Sequence, residues 1–280
     1  MTVAAVVGLG LIGGSIALGL DAPGWDEDPA AREAARRRGI HTGASLEETV
    51  AGARVVFAAV PTAAVPEVLR WLAGQVPGSV LTDAASLKMP VLAAAAALPA
   101  GIRFVGGHPM AGSATLGIAG AAANLFAGRP WLVVPGASSD PASITLVREQ
   151  ILRLGATPIS IEAEQHDAAM TWISHLPMAV SAALAQAVAR ELGERAGALA
   201  GPGLSDTTRL AGSRPELALE LWLSEPRRLA AAVRTVSNDL KNFAAQLENE
   251  DRAAIEAFLR EAGQARKTIH PNSEILPPND

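Results

Sequence analysis

A chain of 280 residues, 49% of them hydrophobic, is long enough to bury a substantial core, and at roughly 100 to 200 residues per domain it implies two domains. Its formal net charge of -5 and the lack of a long basic run exclude nucleic acid as the main partner, because phosphate binding takes clustered Lys and Arg. With no cysteine, disulfides and thiolate metal sites are excluded as well.

From Met1 to about Ile161, short β-branched runs alternate with helical stretches, the pattern of βα units that build a largely parallel sheet. The runs are Val3 to Val7, Val55 to Val60, Val80 to Thr82, Phe104 to Val105, Leu132 to Val134 and Pro158 to Ile161. No basic segment precedes the first run, unlike a secretory signal, so a cytoplasmic location is expected. Directly after it, Gly8, Gly10 and Gly13 form G-x-G-x-x-G, and a helix begins near Leu11. That context marks a dinucleotide site. Gly8 permits the tight turn, Gly10 lets the backbone approach a pyrophosphate, and Gly13 lets the helix pack on the strand. The first helical N–H groups, those of Leu11 and Ile12 included, then face the anion. Asp26, 18 residues after Gly8, is the acid expected on the ribose 2′-OH and favours NAD. Between Ser15 and Trp25 there is hardly room for a full second strand, and Pro23 and Gly24 disfavour an interior one, which leaves NADP open. Asp28 with Pro29, and Ser45 with Glu48, mark the next helix starts. Arg36, Arg37 and Arg38 read as a solvated helix end.

Two polar constellations sit at or past the carboxyl ends of predicted strands, where a doubly wound fold places its chemistry. Thr82 to Lys88 carries Ser86, and Gly106 to Ser113 carries His108. A histidine among glycines past a strand end faces a crevice rather than the core, and a pKa near neutrality suits proton transfer. The plainer alternative is a histidine that only hydrogen-bonds its loop.

After Glu162 the strand signals stop, and helices follow, broken at Gly201-Pro202-Gly203, at Ser213 to Pro215 and near Pro226. The chain is therefore expected to hold an α/β Rossmann domain over 1–162 and an all-α domain over 163–280. The stretch Gln165 to Glu191 is too apolar for a solvated surface helix and suits a core or a subunit interface. Asp206 and Arg209, three apart, can pair on one helix face. They form either a surface ion pair or an arginine clamp for a carboxylate. His41, His108, His166, His175 and His270 are scattered, and His166 and His175 lie nine apart rather than at i, i+4, so no metal centre is expected. Apolar stretches such as Val91 to Leu98 and Met178 to Val188 fall short of the roughly 30 Å needed to span a membrane. The polar, Pro-rich tail from Pro271 to Asp280 is expected to fray.

Taken together, Val7 to Ser15, Asp83 to Lys88, Gly106 to Ser113, Ser174-His175-Leu176-Pro177 and Asp206 to Arg209 resemble the prephenate and arogenate dehydrogenase family in its minimal, single-activity form. The likeness runs over nearly the whole chain and is nearest to cyanobacterial-type arogenate dehydrogenases. It implies NAD-dependent oxidative decarboxylation of a cyclohexadienyl acid, prephenate or arogenate, in tyrosine biosynthesis, by a homodimer joined through its helical domain. It further implies that His108 receives the ring hydroxyl's hydrogen bond or proton, that Ser86 orients that hydroxyl, and that Arg209 holds a carboxylate. Asp206 would position Arg209, Ser113 and His175 would line the pocket, and Lys88 would have a structural part. Two positions depart from the family pattern: Met178 stands where many members carry a second histidine, and Ala114 where many carry glutamate. Competing readings are a β-hydroxyacid dehydrogenase or imine reductase, against which Lys241 and Lys267 lack a recognisable motif, and a non-catalytic dinucleotide sensor.

Overall fold

The computed structural model describes residues 3–113 and 115–269; Ala114, His270 and the tail from Pro271 lie outside them. The chain folds as two compact units, Met1–Met170 and Thr171–Asp280.

The first unit is built on strands β1 (Ala4–Val7), β2 (Gly24–Trp25), β3 (Val55–Ala58), β4 (Val80–Asp83), β5 (Arg103–Pro109), β6 (Pro130–Pro135) and β7 (Thr157–Ser160). They form one seven-stranded sheet in the order β2-β1-β3-β4-β5-β6-β7. Every pairing is parallel except β5 with β6, which is antiparallel. The inner strands are buried on both faces, as a sheet covered by crossover helices must be. Because side chains alternate along a strand, Ala4, Val6, Val55 and Phe57 enter one core with Ile16, Val147 and Ile151. Ala5, Val7, Val56 and Ala58 enter the other with Leu69, Leu72 and Val91. These partners come from α1 (Leu11–Leu20) and α6 (Pro141–Arg153) on the first face, and from α4 (Val65–Gln75) and α5 (Met89–Ala96) on the second.

The helix starts follow their local chemistry. Asp28 caps α2 (Pro29–Arg37) by accepting the Ala30 N–H at 2.8 Å, with Pro29 in the first turn. Ser45 caps α3 (Leu46–Val50) by accepting the Glu48 N–H at 3.2 Å. The return bond of this capping box runs from the Ala44 N–H to the Glu48 carboxylate at 2.7 Å, one residue ahead of the cap. Arg36 and Arg37 are exposed and pair with Glu33. Arg38 is more than a solvated end, since it donates to the carbonyls of Ala119 and Ala121 and ties α2 to that loop.

One strand is as curtailed as expected and another runs further than expected. β2 is two residues long and sits at the sheet edge, where the missing N–H of Pro23 does no harm; Val6 and Gly8 donate to the carbonyls of Pro23 and Trp25 at 3.0 and 2.7 Å. β5 runs on through the glycines to Pro109, so His108 is a strand residue opposite Leu132, not a loop residue. Gly106 and Gly107 are there because neighbours come close. A Cβ on Gly106 would lie 2.8 Å from the Val134 carbonyl oxygen, and one on Gly107 would lie 2.6 Å from that of Asp83. Close backbone approach imitates a loop signal in sequence.

The first unit closes with α7 (Ala163–Met170). In the second unit a π turn, Thr171–His175, precedes α8 (Leu176–Leu192), followed by α9 (Arg195–Leu199), α10 (Pro202–Thr208), a 3₁₀ turn (Arg209–Gly212), α11 (Pro215–Ser224), α12 (Pro226–Glu248) and α13 (Arg252–Ile269). Each break expected from Gly and Pro falls where a helix opens on proline, at Pro202, Pro215 and Pro226, where the missing N–H costs nothing. Leu176, Leu229 and Ala232 form a buried cluster in this unit, with Trp222 and Val236 against it.

The expectation that no stretch could span a membrane needs one correction. The run Ala163–Leu192 is, by length and composition alone, apolar enough to do so. Its polar residues had divided it in sequence; several of them, His166, Asp167, His175 and Ser181, are buried.

Candidate active site

The chain leaves β1 into the glycine loop at the point where the strand order reverses, since β2 lies to one side of β1 and β3 to the other. Such a switch point opens a crevice at the carboxyl ends of the strands. Gly8 has φ +95°, and a Cβ there would collide with the carbonyl of Ala59. A Cβ on Gly13 would collide with the carbonyl of Gly8, so both glycines are demanded by the protein itself. Gly10 is different: a Cβ there meets nothing within 4 Å. Open space at that position, beside a helix N-terminus with no side-chain cap and no acidic residue in its first turn, fits a pyrophosphate held on the N–H groups of Leu11, Ile12 and Gly13.

Asp26 follows β2 directly and is half-buried. One carboxylate oxygen accepts the Leu9 N–H at 2.7 Å and the other the Asp28 N–H at 2.9 Å. Arg32 braces this corner, stacking on Trp25 at 4.2 Å and donating to the Asp26 carbonyl at 2.6 Å. Asp26 thus stands where a ribose-binding acid belongs and also holds the glycine loop.

Further along the same sheet lies a buried polar cluster. Asp83, the last residue of β4, accepts the N–H groups of Gly107 and Ala85, each at 3.0 Å, and the ammonium of Lys88. Lys88 also donates to the Gly107 carbonyl at 2.7 Å. Both side chains are fully buried, so each charge depends on the other. Burial pushes the Lys88 pKa below the usual lysine value, against the pull of Asp83 and, more weakly, Asp167. The salt bridge fixes the loop that carries Ser86, itself half-buried, to the strand that carries His108.

His108, also half-buried, has its Nδ1 2.9 Å from Nε2 of His166, and His166 Nδ1 is 2.6 Å from Asp167 Oδ1. Asp167 in turn accepts the backbone N–H groups of Lys88 and Met89 at 3.0 and 2.9 Å, which cap α5 from a distant helix. Burial opposes ionisation of Asp167, but the hydrogen bond from His166 and those from Met89 and Lys88 outweigh it and hold its pKa below the ordinary carboxylate value. His166 and Asp167 were missed as site residues in sequence. The available signal was the His-Asp pair just ahead of the apolar run that begins at Ala168. Ser113 is exposed, and its hydroxyl accepts the Thr115 N–H at 3.1 Å.

In the second unit, His175 is buried at the end of the π turn, a helix irregularity frequent at functional positions. Arg209 opens the 3₁₀ turn, which is pinned to α8 by the bond from the Ala211 N–H to Ser181 at 3.0 Å. Arg209 and Asp206 are both exposed, and no ion pair joins them among the described residues. The expected pairing is therefore absent, because Arg209 lies in the 3₁₀ turn beyond the end of α10 and not one helical turn from Asp206 on a continuous face. Met178 is buried.

A doubly wound sheet with a glycine-loop crevice, followed by a helical unit, is the architecture of a dinucleotide-binding protein of the Rossmann class. A family model described as prephenate dehydrogenase, nucleotide-binding domain, matches residues 20–160, and one described as its dimerization domain matches residues 162–261. The chain belongs to the prephenate dehydrogenase family. It is 29% identical to a prephenate dehydrogenase of Lactococcus lactis over 97% of this chain and 78% of that protein. Among solved structures, arogenate dehydrogenase of Synechocystis has 31% identity and a TM-score of 0.79, covering 95% of this chain and 99% of its own. Prephenate dehydrogenase of Aquifex aeolicus, in complex with hydroxyphenyl propionate and NAD+, has 25% identity and a TM-score of 0.84 over 96% and 98%.

Proposed function

We propose that this enzyme oxidises prephenate or arogenate with NAD, with loss of carbon dioxide, in tyrosine biosynthesis. The observation that carries this reading is His108, held at the carboxyl end of β5 on a supported ring nitrogen, within a chain that the family models match over residues 20–160 and 162–261. NAD, bound on Gly8 to Gly13 with Asp26 at its ribose, supplies the hydride acceptor. His108 takes the proton of the substrate's ring hydroxyl while Ser86 orients that group. From the family resemblance, Arg209 is assigned to a substrate carboxylate, and Ser113 and His175 to substrate contacts. As the hydroxyl carbon becomes a carbonyl, the ring carboxylate leaves as carbon dioxide and the ring becomes aromatic. The products are 4-hydroxyphenylpyruvate from prephenate and tyrosine from arogenate. Aromatisation makes the step effectively irreversible.

Cofactor binding is assigned to residues 1–162 and substrate binding and dimerisation to 163–280, although α7 belongs to the first compact unit. The enzyme is cytoplasmic and works as a homodimer. Support for the dimer comes from the matched dimerization domain and from exposed apolar side chains in the helical unit such as Leu199, Leu223, Leu240 and Leu259. The deciding assay supplies prephenate and arogenate separately with NAD or NADP and follows reduced cofactor. Turnover of either acid is expected. Silence in all four mixtures, with NAD binding intact, would overturn the proposal.

A further inference from the structure

We propose that His166 is a positioning residue for His108: it sets the tautomer of the catalytic imidazole and shares the charge that imidazole acquires, with Asp167 anchoring the chain of hydrogen bonds. The inference rests on His108 being the base, as proposed above.

The argument is one of proton bookkeeping along measured contacts. Asp167 receives two backbone N–H groups, from Lys88 and Met89, and a buried carboxylate so supplied stays ionised and accepts only. Its third contact, His166 Nδ1 at 2.6 Å, must therefore carry the proton. A neutral imidazole protonated on Nδ1 presents Nε2 as an acceptor. The 2.9 Å contact from that Nε2 to His108 Nδ1 then requires the proton on His108. That leaves Nε2 as the acceptor nitrogen of His108, the form a base needs. If both facing nitrogens were bare, two lone pairs would meet at hydrogen-bond distance with His166 fully buried, which costs free energy.

When the substrate hydroxyl gives its proton to Nε2, its O–H bond breaks, a carbonyl forms and the hydride leaves for NAD. His108 becomes an imidazolium. Its Nδ1–H then donates to a neutral ring backed by a carboxylate, which stabilises the cation as in other carboxylate-supported imidazole bases. His166 therefore favours the charged form of His108 once the proton has been taken. α5 and β6, which pack on α7, present no titratable side chain, Glu164 of α7 is exposed, and the charged groups nearby are Asp167 and the paired Lys88 and Asp83.

The test compares wild type, His108→Asn, His166→Met and His166→Gln in the rate of NAD reduction across pH. His166→Met removes the acceptor at similar volume. It should lower kcat by roughly 10²-fold or more and move the acid limb of the profile to lower pH, with the KM for NAD unchanged. His166→Gln, whose amide oxygen can accept from His108, should recover much of the rate. A full rate and an unmoved acid limb in His166→Met, with His108→Asn impaired, would overturn the proposal. Unimpaired His108→Asn would instead overturn the catalytic assignment beneath it. Nitrogen-15 imidazole spectra of the wild-type protein give a second reading that no variant's folding can obscure: His108 protonated on Nδ1 is expected, and protonation on Nε2 would refute the proposal.

Discussion

His108 and Arg209 carry opposite kinds of expectation. Replacing His108 by Asn removes the proton acceptor, so kcat should fall by roughly 10²- to 10⁴-fold, while NAD affinity measured by calorimetry is retained. Arg209 is exposed and makes no ion pair among the described residues, so Arg209→Ala should raise the KM for the cyclohexadienyl acid and leave Tm and NAD affinity where they were. A change in Tm alone would return Arg209 to a structural part. Lys88 is the converse. Its charge is buried against Asp83, and Lys88→Met strands that carboxylate, for which about 3 to 5 kcal/mol of lost stability is expected in chemical denaturation. Adding Asp83→Asn should recover part of that loss, since the two residues form one unit.

At the scale of elements, the glycine loop separates what the fold demands from what the ligand demands. A methyl group on Gly13 meets the Gly8 carbonyl, whereas one on Gly10 meets no protein atom within 4 Å. Gly13→Ala is therefore expected to lower Tm as well as NAD affinity. Gly10→Ala should weaken NAD binding with the Tm of the free protein unchanged; equal effects on both quantities would remove the pyrophosphate from Gly10. The fingerprint was legible because its spacing is local to one strand, one turn and one helix. β5 was not. Gly106, Gly107 and His108 look like a loop in sequence, and only the neighbouring Val134 and Asp83 carbonyls show why glycine is needed inside a strand. Likewise, the spacing of Asp206 and Arg209 suggested one helix face, but the helix ends between them.

For the whole molecule, acid tolerance depends on Asp167, which joins α7 to the start of α5. Its folded pKa lies below its unfolded value, so its contribution to stability is fully present above about pH 4 and is lost as pH falls through the depressed folded value. Asp167→Asn should flatten the acid side of the stability curve measured by denaturant titration from neutral pH downward. An unchanged slope would mean that Asp167 ionises alike in the folded and unfolded chain. By itself the sequence determined the fold class, the helix caps and the glycine loop after β1, because these are written in spacings of a few residues. Only the tertiary structure decided that His166 and Asp167, 58 and 59 positions beyond His108, support its ring, and that Lys88 closes on Asp83. Those contacts arise where β4, β5 and α7 meet, and buried polar groups brought together there must satisfy one another, a condition that no local pattern in the chain records.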